Sequence, residues 1–163
     1  MVALAQHPLL DFDRGDDDGA QCHDETHIAP LRHVDAEGFD FVWSSCAFEH
    51  LGSLDRGLAF VTRAMRCLKP GGIAVHTTEF NLSSNGPTLE ARDLCVYRRQ
   101  DIERLRDALA LEGHRVGALN LQPGRSPVDR FVDLPPYRVE PHIKLRLGRF
   151  VVSSIGLAIE RRE

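Results

Sequence analysis

The sequence predicts an α/β domain with a mostly parallel sheet and an antiparallel C-terminal strand. Three observations carry this expectation. An aromatic and β-branched run at 39–43 is followed by one amphipathic helical period and then by a buried apolar run at 73–77. Such a strand–helix–strand unit requires its two strands to be parallel and its crossover right-handed. A second helical period over 101–112 precedes an apolar stretch at 115–121, so the alternation continues. The last apolar run, 150–159, follows a proline-rich excursion and suits an antiparallel return beside 115–121. With 163 residues, 42% of them hydrophobic and 27% charged, the chain has the balance of one globular core.

The elements follow from local chemistry, in chain order. Residues 1–27 are expected to form an acidic, flexible N-terminal segment, because 11–27 hold almost no core-forming side chains. The folded domain is expected over 28–163, opening on a short strand at 31–35. Ser53 is placed to cap a helix whose apolar residues Leu54, Leu58, Val61, Met65 and Leu68 share one face. Lys69, Pro70, Gly71 and Gly72 then read as a stop, since proline breaks the hydrogen-bond ladder and glycine accepts a left-handed turn. Ile102, Leu105 and Leu109 give the second helix, which ends at Gly113. Five prolines between 123 and 141 make 122–149 a long insert.

Composition also narrows the function. The net charge of −4 leaves no basic excess for tracking a phosphate backbone, which argues against a nucleic-acid partner. No apolar run approaches the ~20 residues that span a bilayer, and 1–10 shows no basic leader, so a cytoplasmic protein without a membrane partner is expected. Cys22, Cys46, Cys67 and Cys95 lack the close spacing of a zinc clip and read as buried thiols.

Between Phe39 and Thr78 the sequence resembles the class I S-adenosylmethionine-dependent methyltransferases. The motifs that carry the resemblance are the strand FDFVWSSCAFEHL, the helix after it, and Leu68-Lys69-Pro70-Gly71-Gly72 leading into Ile73-Ala74-Val75-His76. The resemblance is strongest over 31–121 and implies a Rossmann-like sheet, S-adenosylmethionine as cofactor and a small-molecule acceptor, of small or saccharide type. The glycine-rich loop and the ribose-binding acid of the family have no counterpart before Ile28, where Gly15 and Gly19 sit among aspartates. The fold is therefore expected to be N-terminally truncated and to bind its cofactor weakly or not at all. The alternative is a non-catalytic binding or oligomerisation module, or a partner-dependent subunit. An exposed sheet edge predicts a homodimer or a partner chain.

The candidate site follows from the strand ends, where open α/β sheets hold their ligands. Trp43, Ser44 and Ser45 close the first firm strand and are expected to wall the cofactor. Asp35 occupies the place of the family's adenine-contacting acid. Glu49 and His50 match the family's EH pair and are expected to face the cleft as the catalytic residues, with His50 as base. His76, Glu79 and Asn81 leave the second parallel strand at the same edge and are expected to meet the substrate. A divalent ion among His50, His76 and Glu79 is weighed against a sheet histidine and a solvated loop, and the expectation is no metal. A thiolate–base pair of Cys46 and His50 lacks an orienting acid. The basic residues Arg98, Arg99, Arg125, Arg130, Arg138, Lys144 and Arg146 are open to an anionic acceptor, but a solvated surface explains them.

Overall fold

A computed structural model of the chain describes residues 2–3 and 38–162. The predicted strand at 31–35, Asp35 and most of the acidic segment lie outside the described residues. Inside that segment, however, Val2–Ala3 is a strand, β1.

Strand β2 (Phe39–Ser45) forms because bulky and β-branched side chains fit a pleated surface. It leads through a 3-10 turn, Phe48–His50, into helix α1 (Leu54–Ala64). Ser53 caps this helix, its hydroxyl accepting from the Arg56 amide at 3.2 Å, and Leu54, Leu58, Phe60, Val61 and Ala64 form its buried face. The helix tightens into a 3-10 turn at Met65–Cys67 and passes directly into β3 (Leu68–Asn81).

Here the Lys-Pro-Gly-Gly segment departs from the expected stop. It lies within β3, as an irregularity in the pairing with β2: Phe39 is opposite Leu68, whereas Phe41 is already opposite Ile73. The extra residues on β3 are absorbed by Gly71, whose φ of +79° suits a residue without Cβ. The bulge is pinned from the far end of the chain. The Gly71 amide donates to the Arg161 carbonyl and the Arg161 amide to the Gly72 carbonyl, both at 2.8 Å.

Helix α2 (Arg99–Leu111) starts earlier than its apolar period implies, because Arg98 and Asp101 form a reciprocal cap, with the Arg98 amide donating to Asp101 at 2.9 Å. The strand expected at 115–121 shrinks to β4 (Arg115–Val116). Its pairing partner is the expected one: β6 (Phe150–Glu160) runs antiparallel beside it, with Val116 opposite Ile159. The insert holds a single helical turn, α3 (Pro127–Arg130), and a strand, β5 (Leu145–Leu147), which hairpins onto β6.

The sheet order is β1-β2-β3-β6-β4, with β5 pairing β6 off this path. β1, β2 and β3 are parallel, and β6 runs antiparallel between β3 and β4. One face packs against α1 and α2 through Val42, Ala74, Phe80, Leu157 and Ile159. The opposite face carries the half-buried Phe41, Trp43, Ile73 and Val75. No described helix is long and apolar enough to cross a membrane.

Candidate functional site

Because β2 and β3 are parallel, their carboxyl ends fall on one edge of the sheet, and the expected site residues divide by which face their side chains take. Side chains alternate along a strand, so Ser44 and His76, cross-strand partners, share a face. That face is the one under the helices. His76 is fully buried between Phe48 and Phe60, whose ring centroids lie 6.2 and 6.0 Å away, and its Nδ1 lies 2.7 Å from the Ser44 hydroxyl. Burial holds its pKa down to about 4. His76 and Ser44 are thus a polar pair in the core, on the face away from the exposed Ser45.

Asn81 is likewise turned inward. It is buried, its Oδ1 accepts from the amides of Ser83 at 2.9 Å and Ser84 at 3.0 Å, and its Nδ2 donates to the Thr88 hydroxyl at 3.1 Å. Its polar atoms hold the turn that follows β3.

On the other face, Trp43 is half-buried and Ser45 is exposed, with the Thr77 hydroxyl donating to Ser45 Oγ at 3.3 Å. These two remain at the sheet edge as expected. Cys46 ends β2 in the left-handed region, φ +44°, an uncommon conformation for a residue with a side chain. Its amide points back at β3, 3.1 Å from the Thr77 carbonyl and 3.0 Å from the Thr77 hydroxyl.

The EH pair is split. Glu49 is fully buried and turns inward, accepting from the Thr78 hydroxyl at 3.0 Å. Burial pushes its carboxyl above the usual range, and the nearby charge of Glu79 adds to that rise. His50 is half-buried and turns to the loop before Cys95, where Nδ1 meets the Asp93 carbonyl at 2.5 Å. A carbonyl only accepts, so Nδ1 carries the proton of the neutral ring and Nε2 the lone pair. Glu79 accepts from the Ser154 hydroxyl at 3.1 Å, and burial raises its carboxyl too. The structure brings Cys46, Glu49 and Glu79 together, their ligand atoms all within 4.8 Å of one another. Sequence reasoning passed over this trio. Cys46 and Glu49 are three apart on one tight turn, a spacing visible in the sequence, but their meeting with Glu79 depends on the β2–β3 register.

Two of the basic residues have internal partners: Arg98 is engaged by Asp101, and Lys144 is buried with its ammonium on the carbonyls of Pro123 and Asp129.

Residues 10–76 match the family described as a methyltransferase domain. A comparison with curated proteins gives no match. Among solved structures, the chain is similar to the [4+2]-cyclase SpnF, at 22% identity and a TM-score of 0.40, over 54% of this chain and 31% of that one. An O-methyltransferase family protein from Burkholderia thailandensis is 14% identical, with a TM-score of 0.43, over 82% of this chain and 33% of that one. A SAM-dependent methyltransferase from Methanosarcina mazei is 10% identical, with a TM-score of 0.47, over 80% of this chain and 62% of that one. The chain therefore spans about a third of the length of the first two structures and less than two thirds of the third. Residues 10–76 match the methyltransferase-domain family, and the sheet that the described part of this span enters is mixed, with antiparallel β6 between β3 and β4.

Proposed function

We propose that this chain takes part in S-adenosylmethionine-dependent methyl transfer to a small polar acceptor, of small-alcohol or saccharide type, at the carboxyl edge of β2 and β3. One observation carries the reading: the family match at 10–76 runs into a sheet whose antiparallel β6 lies between β3 and β4. The edge residues fit the donor in part. Trp43 offers an aromatic wall for an adenine ring or a sulfonium charge, Ser45 offers an exposed hydroxyl, and the carboxyls of Glu49 and Glu79 lie nearby. Against tight binding, the sequence after β1, residues 4–10, contains no glycine, the residue type that lets a backbone come close to an anionic group.

Bound S-adenosylmethionine supplies an electrophilic methyl group on a sulfonium sulfur. The chain's own task is to align the acceptor with that methyl group. His50 is the residue suited to take the acceptor's proton, on Nε2, because its Nδ1 proton is committed to the Asp93 carbonyl. Calorimetric titration of the chain with S-adenosylhomocysteine tests the reading. A dissociation constant near the millimolar range is expected, weakened several-fold further in Trp43→Ala. The absence of saturable binding in the parent would overturn it and favour the second reading, a non-catalytic binding module, which the missing glycine after β1 supports.

A further inference from the structure

We propose that Cys46, Glu49 and Glu79 form a binding site for a single divalent transition-metal ion, with zinc as the best fit. The site goes beyond methyl transfer and does not depend on it. Three donors of two kinds converge from separate elements: Cys46 from the residue after β2, Glu49 from the 3-10 turn behind it, and Glu79 from β3. Their ligand atoms lie within 4.8 Å of one another. In a tetrahedral zinc site, sulfur at about 2.3 Å and oxygen at about 2.0–2.2 Å from the ion put donors between about 3 and 4 Å apart. A contraction on the order of 1 Å, within reach of side-chain rotation, closes the trio on an ion.

An independent observation points to a missing ligand. Glu49 is fully buried, yet its Oε1 has no hydrogen-bond partner, while Oε2 is held by Thr78. A buried carboxylate oxygen without a donor has lost its hydration with nothing in return, and native structures rarely leave one so without a reason. A cation supplies what Oε1 lacks.

The donor set selects the ion. Two carboxylates alone suit magnesium or calcium, whereas a thiolate directs the site to a softer ion such as zinc. On binding, the Cys46 thiol gives its proton to solvent as the sulfur–metal bond forms, so affinity rises with pH. The hydroxyl of Ser154 on Glu79 and that of Thr78 on Glu49 supply the supporting bonds that orient metal-binding carboxylates. Three protein ligands leave a fourth tetrahedral position for water or for an oxygen of a small ligand.

The test uses the metal-stripped chain, without any methyl donor, titrated with zinc chloride by calorimetry and with cobalt(II) by absorption. One ion per chain is expected, with a thiolate-to-cobalt charge-transfer band in the near ultraviolet. Affinity should fall at least tenfold in Cys46→Ala, Glu49→Gln and Glu79→Gln, and remain in Cys22→Ser and Cys95→Ala. Zinc should raise the melting temperature of the parent and leave that of Glu49→Gln unmoved. Glu49→Gln keeps the side chain's volume and removes a buried charge, so it is the variant most certain to fold. Should Cys46→Ala fail to fold, Cys46→Ser replaces it. The proposal is overturned if no stoichiometric binding occurs, if a folded Glu49→Gln binds zinc like the parent, or if binding is lost only with Cys22. Since methyl-donor binding is read in a separate titration, loss of either property leaves the other intact.

Discussion

The His76–Ser44 pair makes stability depend on pH with a definite sign. The buried ring is neutral, with its pKa held down to about 4 from an ordinary 6.5 because it sits away from water. In the unfolded chain it gains a proton as pH falls through the ordinary value, while the native chain refuses that proton until near its own. The stability that the neutral ring supports is therefore complete above about pH 6.5 and drains away as pH falls toward 4. A pKa unit corresponds to about 1.4 kcal/mol, so the total loss is about 3 kcal/mol. Glu49 and Glu79 act in the opposite direction. Their native carboxyls are raised, so the native chain binds those protons first and gains stability as pH falls.

A parent curve mixes these contributions, and a difference separates them. In His76→Leu/Ser44→Ala both partners of the buried bond become apolar, which is far milder than orphaning one. Urea unfolding followed by circular dichroism, at about pH 7.5, 6.5, 5.5 and 4.5, gives the stability of each chain. From the top of that range to the bottom, the difference should move in the variant's favour by about 2–3 kcal/mol, with most of the change below pH 6.5. A difference that stays flat within about 0.5 kcal/mol, or moves toward the parent, would refute the burial of a neutral ring at this position.

Other perturbations test the packing and the edges. Gly57→Ala in α1 places a Cβ 1.8 Å from the Tyr97 hydroxyl, which donates to the Phe48 carbonyl. The helix gains about 1 kcal/mol in propensity, but overpacking and the strained bond cost about 2–4, so net destabilisation is expected by urea unfolding, with partial rescue in Gly57→Ala/Tyr97→Phe. Asn81→Ala removes the acceptor for two amides and should lower stability by about 1–3 kcal/mol, with faster proteolysis in the loop at 82–88 as the direct readout. Asp40→Asn breaks an exposed pair with Lys69 at 3.0 Å and should change stability by less than about 1 kcal/mol, even though it adjoins the bulge. We propose self-association through the sheet edge, because among the described residues β1 pairs with Val42 and Trp43 of the seven-residue β2; sedimentation that shows a monomer at every concentration rejects it.

What could be read from the sequence divides by range of interaction. Helix α1 was legible because its cap and its apolar face lie within a few turns of one another. The Lys-Pro-Gly-Gly segment was not, because its shape comes from Arg161, some ninety residues away, and its glycines look the same in a turn and in a bulge. The same limit governs the site. The period of two puts Ser44 and His76 on one face, but only the docking of α1 decides that this face is the core. Glu49 and His50 are neighbours in sequence, yet a 3-10 turn sends one inward and the other to the Asp93 loop. Trp43, Ser45 and Glu79 needed only the parallel pairing of β2 and β3, which the strand–helix–strand pattern already required.

The position of β6 bears on how the chain is made. It is the last strand in sequence, yet it fills the middle of the sheet, paired to β3 from Ile73 to Asn81 and to β4 on its other side. A nascent chain that has emerged from the ribosome as far as residue 149 holds β3 with one bare edge and β4 without its partner in the sheet. Until β6 arrives, β3, the longest described strand, is open to a strand from any other chain on the same polysome. Synthesis at about 5–20 residues per second makes that interval brief, so a slow stretch of translation before residue 150 would prolong the exposure and lower the yield of folded protein without changing the sequence.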